Sequence, residues 1–163
     1  MSYWRLFYHL VWATKGREPL IDDEREVVIE RLIRSSSLET GAVLYAVGMM
    51  PDHIHVAVSI PPRIAISAFV QQLKGESSHL LNHGAGRDRE AWFQWQPQYG
   101  VVSVGERSLA DIVAYVQNQR THHAANRLWP LFEITELARQ PDVTIVSSPE
   151  GGCPLGVVAS ALG

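Results

Sequence analysis

His53 and His55 in PDHIHVAVSI (51–60), with Tyr115 and Gln119 one helical turn apart in AYVQNQRTHH (114–123), are the residues whose types and spacing can do chemistry. Side chains alternate faces along a strand, so the two histidines stand side by side on one face, about 7 Å apart at Cα. Two neutral imidazoles at that spacing can converge on one cation, and the carbonyl oxygen of Gln119 can complete a His-His-Gln set. No ligand of that set is anionic, so the metal keeps its charge and polarises a phosphodiester oxygen. A phenol with a pKa near 10 is a poor nucleophile alone. Metal and general-base help would let Tyr115 attack and leave DNA linked to the tyrosine through a phosphate. A bland reading stands beside this one. His-x-His pairs also hydrogen-bond on half-exposed sheets, and a helix tyrosine also covers a core edge with its hydroxyl in water. A third ligand and a reacting group brought by another element separate the two.

The elements that must position these residues follow from the pattern. YWRLFYHLVWAT (3–14), rich in aromatic and β-branched residues, reads as a first strand. Asp23 with Glu26 gives a capping-box start, Val27, Val28, Leu32 and Ile33 have helical spacing, and Gly41 is a stop. AVLYAVGMM and HIHVAVSI form a hairpin around Pro51-Asp52. Ile54, Val56, Val58 and Ile60 supply its core face, opposite the histidines. Phe69, Val70, Leu73, Ser77, Leu80 and Leu81 mark one face of a second helix, which ends near residues 82–84. GAGRDRE (84–90) is a loop, WFQWQPQYG (92–100) is aromatic and turn-rich, and VVSV (101–104) is a fourth strand. Ser108, with Asp111 in the capping-box position, opens a third helix. There Leu109, Ile112, Val113 and Val116 face the sheet, and Tyr115, Gln119 and His122 make a second stripe.

The order is β-α-β-β-α-β plus a helix, which predicts an α+β, ferredoxin-like (RRM-like) antiparallel sheet with helices on one face and a C-terminal tyrosine-bearing helix. The other face is expected to be free for chemistry.

Composition limits the alternatives. The chain has 163 residues, 46% of them hydrophobic, enough for one domain with a real core. No signal-peptide or membrane-spanning stretch is evident, so a cytoplasmic protein is expected. The one cysteine, Cys153, supports neither a disulfide framework nor a cysteine-based zinc site. The net charge of −3 is confined to residues 128–163, where Arg139 stands against Glu133, Glu136, Asp142 and Glu150. Five acids crowd DDEREVVIE (22–30), and the rest of the body is mildly cationic, a balance that permits a nucleic-acid surface. Residues 1–127 read as the functional domain, and 128–163 as an extension whose end, 141–163, reads as a loosely held tail.

HIH resembles the His-hydrophobic-His signature of the HUH endonucleases, and YVQNQRTHH resembles the tyrosine helix of their single-tyrosine transposases, which move insertion sequences as single-stranded DNA. VWATKGREPL (11–20), GMMPDHIHVAVSIPP (48–62), LKGESS (73–78) and the stretch from Trp92 to YGVVSVG (99–105) are similar to the same family. The resemblance, over residues 3–127, implies that His53, His55 and Gln119 bind a divalent ion, Mg²⁺ or Mn²⁺. It implies that Tyr115 takes the 5′-phosphate while a 3′-hydroxyl is released. It also implies a homodimer whose tyrosine helix completes the partner's site, acting on single-stranded DNA with hairpins; Lys74 and Arg63 are candidate DNA contacts. Three other readings differ in class. One is a relative serving its host on repeated palindromes. Another is a non-catalytic single-stranded nucleic-acid module stacking bases on Tyr3 and Phe7. The last is a zinc hydrolase, for which the sequence shows no HExxH-type helix or nearby carboxylate.

Overall fold

The structure, a computed structural model, describes residues 3–83 and 92–135. Four strands, β1 (Phe7–Ala13), β2 (Val43–Met50), β3 (His53–Ser59) and β4 (Gly100–Val104), form one antiparallel sheet in the order β2-β3-β1-β4. Helices α1 (Asp23–Thr40) and α2 (Ile66–His83) follow β1 and β3. This is the α+β, ferredoxin-like arrangement expected.

The face turned to α1 and α2 holds the main core. Leu10 and Trp12 of β1 and Ile54, Val56 and Val58 of β3 meet Ile29 and Ile33 of α1 and Phe69, Val70, Leu73 and Leu81 of α2. Helix α1 starts one residue earlier than the sequence suggested: Asp22 is the cap, its carboxylate accepting from the Arg25 N–H at 2.8 Å. Gly41 ends the helix at φ 75°, a left-handed conformation that glycine adopts without cost. Val27 and Leu80, expected to be core residues, are half exposed.

The second face is not open. Helix α3 (Leu109–Gln117), a short helix α4 (Gln119–Ala124) and residues 129–135 cover it. Ile112, Tyr115 and Val116 pack with Ala46 of β2, Ala57 of β3 and Phe132 in a second, smaller apolar cluster. Every residue of β3 is therefore buried, the histidines included. The expected continuous third helix breaks at Asn118 (φ −103°, ψ 22°). Its expected capping box is absent as well: Ser108 ends a 3₁₀ turn (Glu106–Ser108) and makes no side-chain cap. Loop 84–90, Cys153 and residues 141–163 lie outside the described residues.

Two glycines make this second layer possible. Across the sheet, Gly48 of β2 pairs with His55 of β3, which pairs with Val11 of β1, which pairs with Gly100 of β4. A Cβ on Gly48 would lie 2.0 Å from the Val116 carbonyl oxygen, and one on Gly100 would lie 2.0 Å from that of Ile134. One row of the sheet thus carries a histidine inside and a bare backbone at each edge, and a covering element rests on each bare edge.

Candidate active site

His53 and His55 project from β3 into the layer between sheet and cover. Each uses its Nδ1 for a neighbouring side chain, the half-buried Asp52 for His53 and the fully buried His9 for His55. His53 Nδ1 lies 2.6 Å from Asp52 Oδ1, and His55 Nδ1 lies 2.9 Å from His9 Nε2 of β1. Each Nε2 faces the same space. Glu133, from the segment beyond α4, places its Oε2 there, 3.6 Å from His53 Nε2, 3.5 Å from His55 Nε2 and 3.6 Å from His123 Nε2 of α4. His53 and His123 bring their Nε2 atoms within 3.2 Å of each other.

The charges are mutually adjusted. Burial alone would raise the Glu133 carboxyl, but His53, His55 and the Tyr115 hydroxyl hold it far below the usual carboxylate range. Burial lowers His55, outweighing the pull of Glu133, whereas for His53 the contacts with Asp52 and Glu133 outweigh burial and raise the imidazole. His9, fully buried and beside His55, is pushed down to about 3 and is neutral at pH 7. Asp52 stays low despite burial because it bonds to His53 and to Arg17 Nη1, the latter at 3.2 Å. Arg17 also donates to Thr135 Oγ1 at 3.3 Å. The TKGRE motif after β1 thereby ties the turn before β3 to the covering segment.

Tyr115 is 2% exposed, inside the second cluster and not on its shoulder. Its ring stacks between His122 and Trp129, at centroid distances of 5.0 and 4.9 Å. Its hydroxyl donates to Glu133 Oε1 at 2.5 Å and accepts from the Trp129 N–H at 3.1 Å. Burial and this carboxylate raise the phenol to about 12. Gln119, 1% exposed, donates its amide Nε2 to the Tyr115 carbonyl at 3.3 Å, and its side chain lies over Gly48, the register partner of His55. Its Oε1, like His55 Nε2, is buried without a hydrogen-bond partner among the described residues. Buried orphan acceptors of this kind, with the other side of each group already tied down, fit a bound divalent cation.

The structure thus gathers Tyr115, His53, His55 and Gln119 from β3, α3 and α4 within one chain. It does not bring the two basic candidates there. Arg63 lies past the opposite end of β3 from His53 and donates to the Thr40 carbonyl at 2.7 Å. Lys74 donates to the carbonyls of Gln96, Pro97 and Gln98 at 3.0, 3.2 and 2.6 Å, clamping the loop before β4; burial lowers it to about 8, so it stays largely charged at pH 7. Phe7, a proposed stacking platform, is 5% exposed, its ring meeting Tyr45 edge-on. Sequence reasoning missed His9, His123 and above all Glu133, the nearby carboxylate thought absent. The parity of β1 puts His9 on the histidine face, a signal that was available. Glu133 sits in a stretch without periodicity, and nothing local marks it.

Comparison with known proteins agrees with this geometry. The family described as "Transposase IS200 like" matches residues 2–119. The ISDra2 transposase TnpA of Deinococcus radiodurans is 29% identical over 119 residues, covering 71% of this chain and 85% of that protein. The transposase for insertion sequence element IS200 of Salmonella typhimurium is 30% identical over 122 residues, covering 71% and 78%. A crystal structure from Deinococcus radiodurans, also described as a transposase, superposes with a TM-score of 0.57 at 32% identity, over 73% of this chain and 95% of that one. A REP-associated tyrosine transposase bound to a REP hairpin shares the fold, with a TM-score of 0.57 at 15% identity over 76% and 74%. With more than half its length matched, the chain belongs to the IS200-like transposase family.

Proposed function

We propose that this transposase cleaves and rejoins single-stranded DNA through Tyr115. The observation that carries the reading is convergence: the buried Tyr115 hydroxyl and the Nε2 atoms of His53 and His55, from two elements, face one carboxylate, Glu133, and the Tyr115 and His55 rings meet edge-on. Tyr115 Oη gives up its proton and attacks the scissile phosphorus, the P–O3′ bond breaks, the departing 3′-oxygen takes up one proton in exchange and leaves as a hydroxyl, and the 5′-phosphate stays on the tyrosine. Reversal onto another 3′-hydroxyl rejoins strands. A divalent cation, Mg²⁺ or Mn²⁺, would be held by His53, His55 and Gln119 and would supply Lewis-acid polarisation of the phosphodiester. Asp52 and His9 fix the two imidazoles through Nδ1, so that each Nε2 is presented inward. His122 and Trp129 fix the plane of the phenol, so its oxygen has little freedom to lose on attack. Glu133 holds that oxygen as a neutral phenol until its hydrogen bond is exchanged for substrate.

Hairpin-marked DNA ends are the proposed substrate, by extension from the fold neighbour bound to a hairpin. A homodimer exchanging the tyrosine helix is proposed on the resemblance alone; here Tyr115 lies beside its own chain's histidines, and sedimentation velocity with and without DNA tests the assembly. The decisive experiment incubates the protein, Mn²⁺ or Mg²⁺ and end-labelled single-stranded hairpins from the flanks of its gene, followed by denaturing electrophoresis and peptide mapping. An adduct at Tyr115, absent in Tyr115→Phe while DNA binding persists, is expected. An adduct that survives Tyr115→Phe would reassign the nucleophile.

A further inference from the structure

The TKGRE turn after β1 (14–18) holds two cations, Lys15 and Arg17, at the mouth of the active site, and neither takes part in the chemistry of Tyr115. We infer that Lys15 and Arg17 form a phosphate site, which holds a backbone phosphate of the single-stranded DNA beside the scissile one. The inference deepens the proposed DNA cleavage and rests on it.

Position comes first. An open cavity of about 580 Å³, in the size range of ligand clefts, is lined by Lys15, Arg17, Gln96, Gln98, Glu133 and Thr135. Glu133 joins it to the nucleophile, because the same side chain accepts from the Tyr115 hydroxyl. It is the one acid among the described residues of that wall, and both its oxygens are engaged inward, Oε1 with Tyr115 and Oε2 beside the histidines. The rest of the wall offers two cations, two amides and a hydroxyl, and no aromatic ring among the described residues. That lining suits a sugar-phosphate chain and not a stacked base. Availability comes second. Lys15 is exposed, and among the described residues its ammonium meets no carboxylate, only the neutral Gln94 Oε1 at 3.0 Å. Arg17, exposed as well, spends one N–H on Asp52 at 3.2 Å and one on Thr135 at 3.3 Å, which leaves the other guanidinium donors for a ligand. Elsewhere Arg5, Arg34 and Arg120 are held by Glu106, Glu30 and Glu26. Third, the turn is set in advance. Gly16 (φ 65°) and Arg17 (φ 54°) are both left-handed, and an arginine keeps that strained conformation only where its surroundings over-determine it. Here they do: the Thr14 N–H donates to the Asp52 carbonyl at 2.8 Å, the Lys15 N–H to the Gln94 carbonyl at 2.9 Å and the Arg17 N–H to the Thr14 carbonyl at 3.0 Å. Two cations fixed on one cavity before a ligand arrives lower the ordering cost of binding it.

Salt dependence reads phosphate contacts directly, because each phosphate neutralised on a single strand contributes about −0.7 to the slope of log affinity against log salt. The full chain in EDTA is titrated by fluorescence anisotropy against a labelled single-stranded hairpin from the flanks of its gene, over a series of NaCl concentrations, and cleavage kinetics are measured separately with Mn²⁺. Lys15→Gln and Arg17→Gln should each make the slope shallower by about 0.7 and weaken binding severalfold at low salt. Lys15→Gln should also raise KM with kcat little changed, the mark of a contact made equally in ground and transition states. Lys15→Arg should keep the wild-type slope. So should Arg34→Gln, which removes a cation of α1 that is paired with Glu30. An unchanged slope in Lys15→Gln would overturn the site whatever Arg17→Gln does, since the Lys15 side chain makes one exposed hydrogen bond and the turn does not depend on it. An equal loss in Arg34→Gln would trace the effect to overall charge and overturn the site as well. Both of those results leave the proposed function standing when the wild type forms its Tyr115 adduct, whereas a wild type that neither binds the DNA nor forms the adduct overturns the proposed function itself. Circular dichroism of Arg17→Gln separates loss of the phosphate contact from loss of the turn.

Discussion

His9 shows how far a single residue's surroundings can move its behaviour. It is fully buried against His55, and its imidazole titrates at about 3, against 6.5 in an unfolded chain. Between those values the unfolded chain binds a proton that the folded chain refuses, so stability falls as pH drops from 6.5 toward 3. Burial of His55 acts in the same direction, and the raised His53 opposes it. The His9 effect is of the order of a few kcal/mol. Urea denaturation of wild type and His9→Asn across that range should give a visibly shallower slope for the variant; parallel slopes would rule out a neutral buried His9. Of the site residues, those on strongly patterned segments were legible: β3 alternates cleanly, and helical spacing linked Tyr115 to Gln119. The burial of Tyr115 was not, because it comes from Trp129 and His122 stacking on either side, contacts made by a break and a turn that no periodicity announces.

At the scale of elements, the covering layer depends on close backbone approach at Gly48 and Gly100. Gly48→Ala must push back the Val116 carbonyl, and Gly100→Ala the Ile134 carbonyl. Overpacking of this kind costs roughly 1–3 kcal/mol. Gly48→Ala should also displace Gln119 from the neighbourhood of His55 and depress DNA cleavage much more than it lowers the melting temperature. Gly75→Ala, inside α2 and with nothing within 4 Å of its added Cβ, is the control: it should leave cleavage unchanged and raise the melting temperature by a few degrees, as alanine for glycine in a helix does. The four strands, the hairpin turn and the two core helices were readable because each carries a clean period of two or 3.6 residues with turn residues at its ends. The break at Asn118 was not readable, since asparagine sits within many helices; it is the docking of α4 over Gly48 that sets the observed path.

For the whole molecule, the sequence pattern pointed to a one-sided sheet, and the chain instead builds cover on both sides. Strand periodicity reports which face is more apolar, and β3 gave the right answer for its main face. It could not report that small residues such as Ala46, Gly48 and Ala57 on the other face are small so that a second layer can sit close. The two apolar clusters are unequal. The one under α1 and α2 contains the large side chains of β1 and β3, whereas the one under α3 is built from a handful of residues around Tyr115 and Phe132. Less buried apolar surface means less free energy to lift that layer off. Amide hydrogen exchange should therefore show α3, α4 and residues 129–133 exchanging through an opening of lower free energy than β1 and β3; equal protection throughout would contradict this. Because the large cluster holds the scaffold and the small one holds the nucleophile, descendants of this chain can rebuild, relocate or discard the reactive layer while the sheet beneath keeps folding, which makes the chemistry the more evolvable part of the molecule.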